Sequence, residues 1–150
     1  MQVVPADAAH LAEWARLRAA LWPDDEDDDA EAAHRTEAEA MIGQDDLAAF
    51  VAQAADGSIT GFVEAALRRD YVNGCDTSPV AFVEGLYVRE DRRRQGVARA
   101  LVAAVEAWGR ARGCAEMASD ADLANDASHA MHGRLGFAET ERVVYFRKPL

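Results

Sequence analysis

The stretch that decides the fold runs Val80-Ala81-Phe82-Val83-Glu84-Gly85-Leu86-Tyr87-Val88, then Arg89-Glu90-Asp91-Arg92-Arg93-Arg94-Gln95-Gly96-Val97-Ala98. Its first nine residues are apolar on both faces apart from Glu84, which predicts a strand at a central position in a sheet. A helix follows, with the apolar stripe Val97, Leu101, Val105 and Trp108 and a C-terminal stop at Gly113. Strand, turn and helix together have the make-up of an anion site. A helix N-terminus carries unpaired N–H groups and a positive dipole end. Gly96 and Ala98 remove side-chain bulk, so phosphate oxygens can approach the backbone. Arg92, Arg93, Arg94 and Arg99 add cationic donors. An arginine triplet at a helix start opposes the dipole, a local cost that a bound anion relieves. The turn is neither a Walker loop nor a GxGxxG dinucleotide turn. The bland alternative is an Arg-rich helix start with ordinary small residues.

Outward from this unit the pattern stays mixed. Gln2–Val4 ends at Pro5 and reads as an edge strand. Asp7 can cap a helix with the stripe Leu11, Trp14, Leu17 and Leu21, stopped by Pro23. A second helical stretch runs from Glu31 to Ile42 and ends at Gly43. Leu47–Ala54 and Ser58–Arg69 read as strands joined by an Asp56-Gly57 turn. Tyr71–Pro79 is a loop. Cys114–Ser119 reads as a strand, Asp122–Leu135 contains a helix ended by Gly136, and Phe137–Phe146 is expected as the last strand. The order β-α-α-β-β-β-α-β-α-β predicts an α/β fold, a mixed sheet with flanking helices.

Composition bounds the function. By length, 150 residues predict one domain spanning 1–150. Sixteen bases against 27 acids give a net charge of −11, which argues against a nucleic-acid or RNA-phosphate partner. No apolar run approaches the ~18–20 residues of a membrane span. Met1-Gln2-Val3-Val4-Pro5 lacks a basic and an apolar leader region. Cys75 and Cys114 are too few for a disulfide framework, so a cytoplasmic location is expected. No Cys/His cluster has metal-ligand spacing, so no metal is expected. Residues 1–80 carry 17 acids and 5 bases, whereas residues 81–150 carry 10 acids and 11 bases. The acidic run Asp24–Asp29 accounts for six of those charges, and such a run is ordinarily a solvated loop. The functional alternative is an acidic half that attracts a cationic ligand and a second half that holds an anionic one.

The pattern Arg-x-x-Gly-x-Ala at 93–98, entered from Leu86-Tyr87-Val88, resembles the acetyl-CoA pyrophosphate loop of the GNAT N-acetyltransferases. Asn125, Ser128, His132 and Gly136-Phe137 fall at the spacing of a later stretch of that family. Asp70-Tyr71-Val72-Asn73-Gly74-Cys75-Asp76, Phe82-x-Glu84-Gly85, Cys114-x-Glu116-Met117-Ala118-Ser119-Asp120 and Glu139-Thr140-Glu141-Arg142-Val143 resemble the chromosomal type of aminoglycoside 6'-N-acetyltransferases. So does the helix ending Leu21-Trp22-Pro23. The resemblance implies the GNAT fold, a mainly antiparallel sheet with splayed central parallel strands. It implies acetyl-CoA as co-substrate and a small-molecule polycationic aminosugar as acceptor.

Acetyl transfer from a thioester to an amine needs a base, because only the neutral amine attacks. Glu84 is the candidate: it stands in an otherwise apolar strand, where a carboxylate is costly unless used or paired. The resemblance implies that backbone N–H groups at Leu86, Tyr87 and Val88 hold the thioester oxygen and the pantetheine arm. It also implies coenzyme contacts from Arg93, Arg94, Gln95, Gly96, Val97, Ala98, Arg99, Asn125, Ser128 and His132. His132 stands where the family places a tyrosine acid. It is therefore a candidate proton donor to the leaving thiolate, or simply a helix residue beside the coenzyme. Asp120, Trp22 and Tyr71 match substrate-binding positions, and Asp24, Asp25, Asp70 and Asp76 are further candidate partners for ammonium groups. In relatives the Tyr71–Asp76 loop reaches the neighbouring subunit's site, so a homodimer is implied. Two rivals remain: acetylation of a polyamine or another small cationic amine, and a non-catalytic acyl-CoA- or aminoglycoside-binding module. The coenzyme loop together with Glu84 argues against the module.

Overall fold

The computed structural model describes residues 1–24 and 29–150. Five strands form one sheet in chain order: β1 (Gln2–Pro5), β2 (Leu47–Gln53), β3 (Ile59–Arg68), β4 (Val80–Val88) and β5 (Glu116–Ser119). Strands β1 to β4 pair antiparallel, and β4 and β5 run parallel. Among the described residues the helices are α1 (Leu11–Leu21), α2 (Ala30–Met41), α3 (Val97–Ala111) and α4 (Asp126–Arg134).

Successive side chains of a strand point to opposite faces, so the sheet has two apolar surfaces to cover. Val63 and Ala65 of β3 and Ala81, Val83 and Val88 of β4 pack with Val97, Leu101 and Val105 of α3. Val51 and Phe62 turn the other way, onto Leu11, Trp14 and Leu17 of α1 and Ala38 of α2. Helices thus cover both faces, which is why β4 reads as apolar throughout.

Two irregularities of β4 coincide. Glu64 pairs with Gly85 and Ala65 with Val83, which leaves Glu84 as the extra residue of a β-bulge. Pairing with β5 covers only Val80–Val83 against Glu116–Ser119. Beyond that point β4 continues through Glu84–Val88 with no strand on its β5 side among the described residues. The sheet therefore splays open where the bulge turns Glu84 outward.

The sequence reading placed these elements to within a few residues, with two corrections. Asp7 caps a short 3-10 turn, Ala8–His10, that runs on into α1; its carboxylate accepts from the Ala9 N–H at 2.9 Å, and His10 Nδ1 accepts from the Asp7 N–H at 3.0 Å. The expected strand Phe137–Phe146 is absent: residues 137–150 form neither helix nor strand. A strand needs a neighbour to take its backbone hydrogen bonds. Thr140 instead lies against the 69–79 loop, where a Cβ on Gly74 would come within 2.1 Å of its hydroxyl oxygen. Past Arg142 the chain carries Val143, Val144, Tyr145 and Phe146 into solvent, Phe146 at 92% exposure.

Candidate active site

The bulge makes the Glu84 side chain exposed inside a strand that is otherwise mostly buried. Arg68, the last residue of β3, grips it. Arg68 Nη2 donates to Oε1 at 2.8 Å and to Oε2 at 3.0 Å, and Nε donates to Oε1 at 3.2 Å. The same guanidinium lies 3.5 Å from the centre of the Phe82 ring. Glu84 is thus paired rather than buried. The deeply buried carboxylate of the sheet is Glu64, one register step away on β3. It accepts from Trp14 Nε1 at 2.9 Å and from the buried guanidinium of Arg18. Burial pushes the Glu64 carboxyl above its ordinary value, and the bonds from Arg18 and Trp14 oppose the rise. Sequence reading singled out neither Arg68 nor Glu64, because strand register decides both placements.

Trp22, at the C-terminal end of α1, lies on the backbone next to Glu84. A Cβ on Gly85 would come within 2.5 Å of the Trp22 indole, so glycine is what lets the ring approach the strand so closely. The ring is held from three sides. His34 stacks on it at 6.3 Å, Phe62 meets it edge-on at 6.2 Å, and the Arg18 guanidinium lies 5.0 Å from its centre. His34 Nε2 also lies 3.1 Å from the Trp22 carbonyl.

The loop after β3 is pinned to the start of β5. Glu116 accepts from the Asp76 N–H at 2.9 Å, the Thr77 N–H at 2.8 Å and the Thr77 hydroxyl at 2.5 Å. The Thr77 hydroxyl and these N–H groups hold the Glu116 carboxyl below its usual value. Val72 anchors the loop against Val80 and Phe82. Tyr71 and Asp76 are left exposed on it, Tyr71 at 75%. Asp120, directly after β5, is exposed too. Asp24 is exposed beyond Trp22, whereas Asp25 lies outside the described residues.

The far wall of the splay is α4. Asn125 caps it, its side chain accepting from the Ser128 N–H at 3.1 Å, and the helix begins at Asp126, within the stretch expected to contain it. His132 reaches back to β5. Its Nδ1 lies 2.7 Å from the Ser128 carbonyl and its Nε2 lies 2.8 Å from the Ser119 hydroxyl. A carbonyl only accepts, so Nδ1 is the donor toward Ser128, and Nε2 faces the Ser119 hydroxyl. Phe137 packs edge-on against the ring at 5.3 Å.

Below the splay, the turn into α3 is built by two left-handed residues, Arg94 at φ 62° and Gly96 at φ 81°. Gly96 supplies no capping side chain, so the first-turn N–H groups of α3 remain available to a ligand. The arginines divide. Arg93 Nε donates to the Val88 carbonyl at 3.0 Å, Arg92 sits 3.7 Å from Asp91, and Arg99 donates to the Arg134 carbonyl at 2.8 Å. Arg94 makes no ion pair among the described residues. Val97 is buried in the core and offers the site only its backbone, as does Val88; Leu86 and Tyr87 pack on opposite faces of the sheet. The open β4 edge and the uncapped helix start together fit an acyl-CoA, one along its amide-bearing arm and the other at its phosphates. Among the described residues no helix is long and apolar enough to cross a membrane, and no three His, Cys, Asp or Glu side chains cluster to hold a metal ion.

Comparison with known proteins agrees with this architecture. Residues 11–137 match the model of the acetyltransferase (GNAT) family. An aminoglycoside N(6')-acetyltransferase type 1 of Serratia marcescens is 49% identical over 148 residues, covering 99% of each chain. That of Stenotrophomonas maltophilia is 52% identical over 149 residues, covering 99% of this chain and 92% of its own. Among solved structures, AAC(6')-Ih from Acinetobacter baumannii superposes with a TM-score of 0.92 at 44% identity, covering 99% of this chain and 98% of the other. AAC(6')-Iy in complex with the bisubstrate analogue CoA-S-monomethyl-acetylneamine superposes with a TM-score of 0.88 at 46% identity and the same coverage. The chain belongs to the acetyltransferase (GNAT) family, alongside the aminoglycoside 6'-N-acetyltransferases of type 1.

Proposed function

We propose that this protein transfers the acetyl group of acetyl-CoA to the 6'-amine of an aminoglycoside, by direct attack within a ternary complex. The observation that carries the reading is the position of Glu84, an outward carboxylate at the point where β4 loses its β5 partner. A base is needed at the mouth of the opened strand edge, where acceptor and thioester meet. Acetyl-CoA supplies the activated acyl group. The unpaired edge of Leu86, Tyr87 and Val88 holds its amide-bearing arm and the thioester oxygen. The turn Arg93–Arg99 and the α3 N-terminus hold the phosphates. There Arg94 contributes its side chain, while Gln95, Gly96, Val97, Ala98 and Arg99 contribute backbone N–H groups. Asn125 and Ser128 shape the opposite wall.

On the acceptor side, Trp22 offers a flat ring beside Glu84. Tyr71, Asp76, Asp120 and Asp24 receive the remaining rings and ammonium groups. Glu84 takes one proton from the 6'-ammonium, the neutral amine nitrogen bonds to the thioester carbonyl carbon, the carbon–sulfur bond breaks, and the second nitrogen proton passes to the departing sulfur, giving the amide and the CoA thiol. His132, bonded to the Ser128 carbonyl and the Ser119 hydroxyl, fixes the end of β5 beside the coenzyme. Holding both substrates in one geometry supplies much of the rate. The working unit is a homodimer of one-domain chains in the cytoplasm. A second subunit is supported by the apolar run Val143–Phe146, which leaves the body of the fold uncovered.

The test is CoA release with kanamycin, tobramycin, spermidine and a lysine-tipped peptide as parallel acceptors. Turnover with the aminoglycosides and a 6'-modified product are expected; turnover with spermidine or peptide alone overturns the substrate. Glu84→Gln should lower kcat by about 10²–10⁴-fold, the usual contribution of a positioned base, while acetyl-CoA still binds. Full kcat in that variant overturns Glu84 as the base.

A further inference from the structure

Arg68 is the feature of the site that the transfer reaction leaves without a task. It occupies both oxygens of Glu84 through three hydrogen bonds of 2.8–3.2 Å. A guanidinium keeps its proton and has no lone pair to offer, so Arg68 cannot pass a proton to or from the acceptor. A carboxylate engaged side-on by a guanidinium fork is also shielded from the ammonium it is meant to deprotonate. Yet the pair is not locked. Both side chains are substantially exposed, Arg68 at 43% and Glu84 at 37%, and exposed pairs are weak in water. The Phe82 ring, 3.5 Å from the guanidinium carbon, gives the cation a second seat independent of Glu84.

We infer that Arg68 is a placeholder cation: it occupies the acceptor's ammonium subsite at Glu84 and is displaced when the substrate amine arrives. The inference rests on the reading of Glu84 as the group that meets the acceptor amine. In the free enzyme Arg68 keeps the carboxylate paired and aimed across the bulge. On binding, the substrate ammonium takes over the Glu84 oxygens and Arg68 withdraws along the Phe82 ring. Acceptor affinity is therefore lower than the site's own contacts would give, by the strength of the Arg68–Glu84 pair.

The sign of the effect separates this role from a structural one. A residue that contacts the substrate, or that holds the base in place throughout turnover, weakens binding or slows chemistry when removed. A placeholder, when removed, tightens binding. The experiment is calorimetric titration of tobramycin into the acetyl-CoA-free wild-type enzyme, Arg68→Gln, Arg68→Lys, Glu84→Gln and the double variant, with steady-state KM and kcat where turnover exists. Arg68→Gln should lower the tobramycin Kd and KM by about fivefold, the strength of one exposed pair, and Arg68→Lys should fall between it and wild type. The gain should vanish when Arg68→Gln is added to Glu84→Gln. A raised Kd, a loss confined to kcat, or a gain that persists without Glu84 overturns the inference. Full kcat in Glu84→Gln instead overturns the base assignment, while the binding measurements still judge Arg68. Acetyl-CoA affinity and thermal midpoint of each variant identify a folding defect, and Arg68→Lys keeps the question answerable if Arg68→Gln is unstable.

Discussion

Two carboxylates one register step apart meet opposite environments, and the sequence does not distinguish them. Glu64 and Glu84 each interrupt an apolar run. Glu64 keeps a partner in the ladder, Gly85, and points into the layer between sheet and α1; Glu84 is the extra residue of the bulge and points out. Composition flags the cost of a carboxylate in such a run, but burial depends on register, and register is set by partners far along the chain. Glu84 is singled out because the family resemblance also places a strand carboxylate there; Glu64, Arg18 and Arg68 depend on register alone and were not legible. The buried pair has its own consequence. Arg18→Met should leave Glu64 uncompensated and cost about 3–5 kcal/mol near neutral pH, read by urea denaturation. Burial already raises the Glu64 carboxyl, and without Arg18 it rises further. A raised folded-state value contributes stability that is complete below the ordinary carboxylate range and is lost as pH rises through the folded value. The deficit of Arg18→Met should therefore shrink at acid pH; a deficit independent of pH would contradict this account.

At the scale of elements, the unit β4–turn–α3 was legible almost to the residue, because periodicity, a glycine and an arginine cluster all agree there. Val80–Val88 is the strand expected, and α3 begins at Val97. What the pattern hid was how the arginines are spent: Arg93 and Arg99 bind carbonyls of the chain itself, and Arg94 makes no ion pair among the described residues. Gly96 does two things at once, adopting φ 81° and leaving the helix start uncapped. Gly96→Ala meets no atom within 4 Å, so its cost is conformational rather than steric. About 1 kcal/mol of stability should be lost, since an L-residue is strained in the left-handed region. CoA affinity should fall as the turn relaxes. Isothermal titration beside a thermal melt checks both; unchanged CoA affinity would remove the turn from the site.

At the scale of the whole molecule, the legible part ends where one chain stops being a sufficient frame. The residues Val143-Val144-Tyr145-Phe146 have strand-like character, and the expectation of a final strand followed from it. Local character cannot say whose edge a strand will find, and within this chain the segment finds none. The acidic bias of residues 1–80 shows the same limit: it is a property of half the chain, and a count of charges does not say which carboxylates meet a ligand. If the apolar tail is covered by a second subunit, folding and assembly are linked by mass action, and the enzyme's heat resistance becomes a function of its abundance. The midpoint of thermal unfolding should then climb with each tenfold increase in protein concentration, and Phe146→Asp should flatten that slope. A midpoint indifferent to dilution would leave the tail without a partner subunit. A cell holding few copies would carry a more fragile enzyme than one holding many, with no change in the chain.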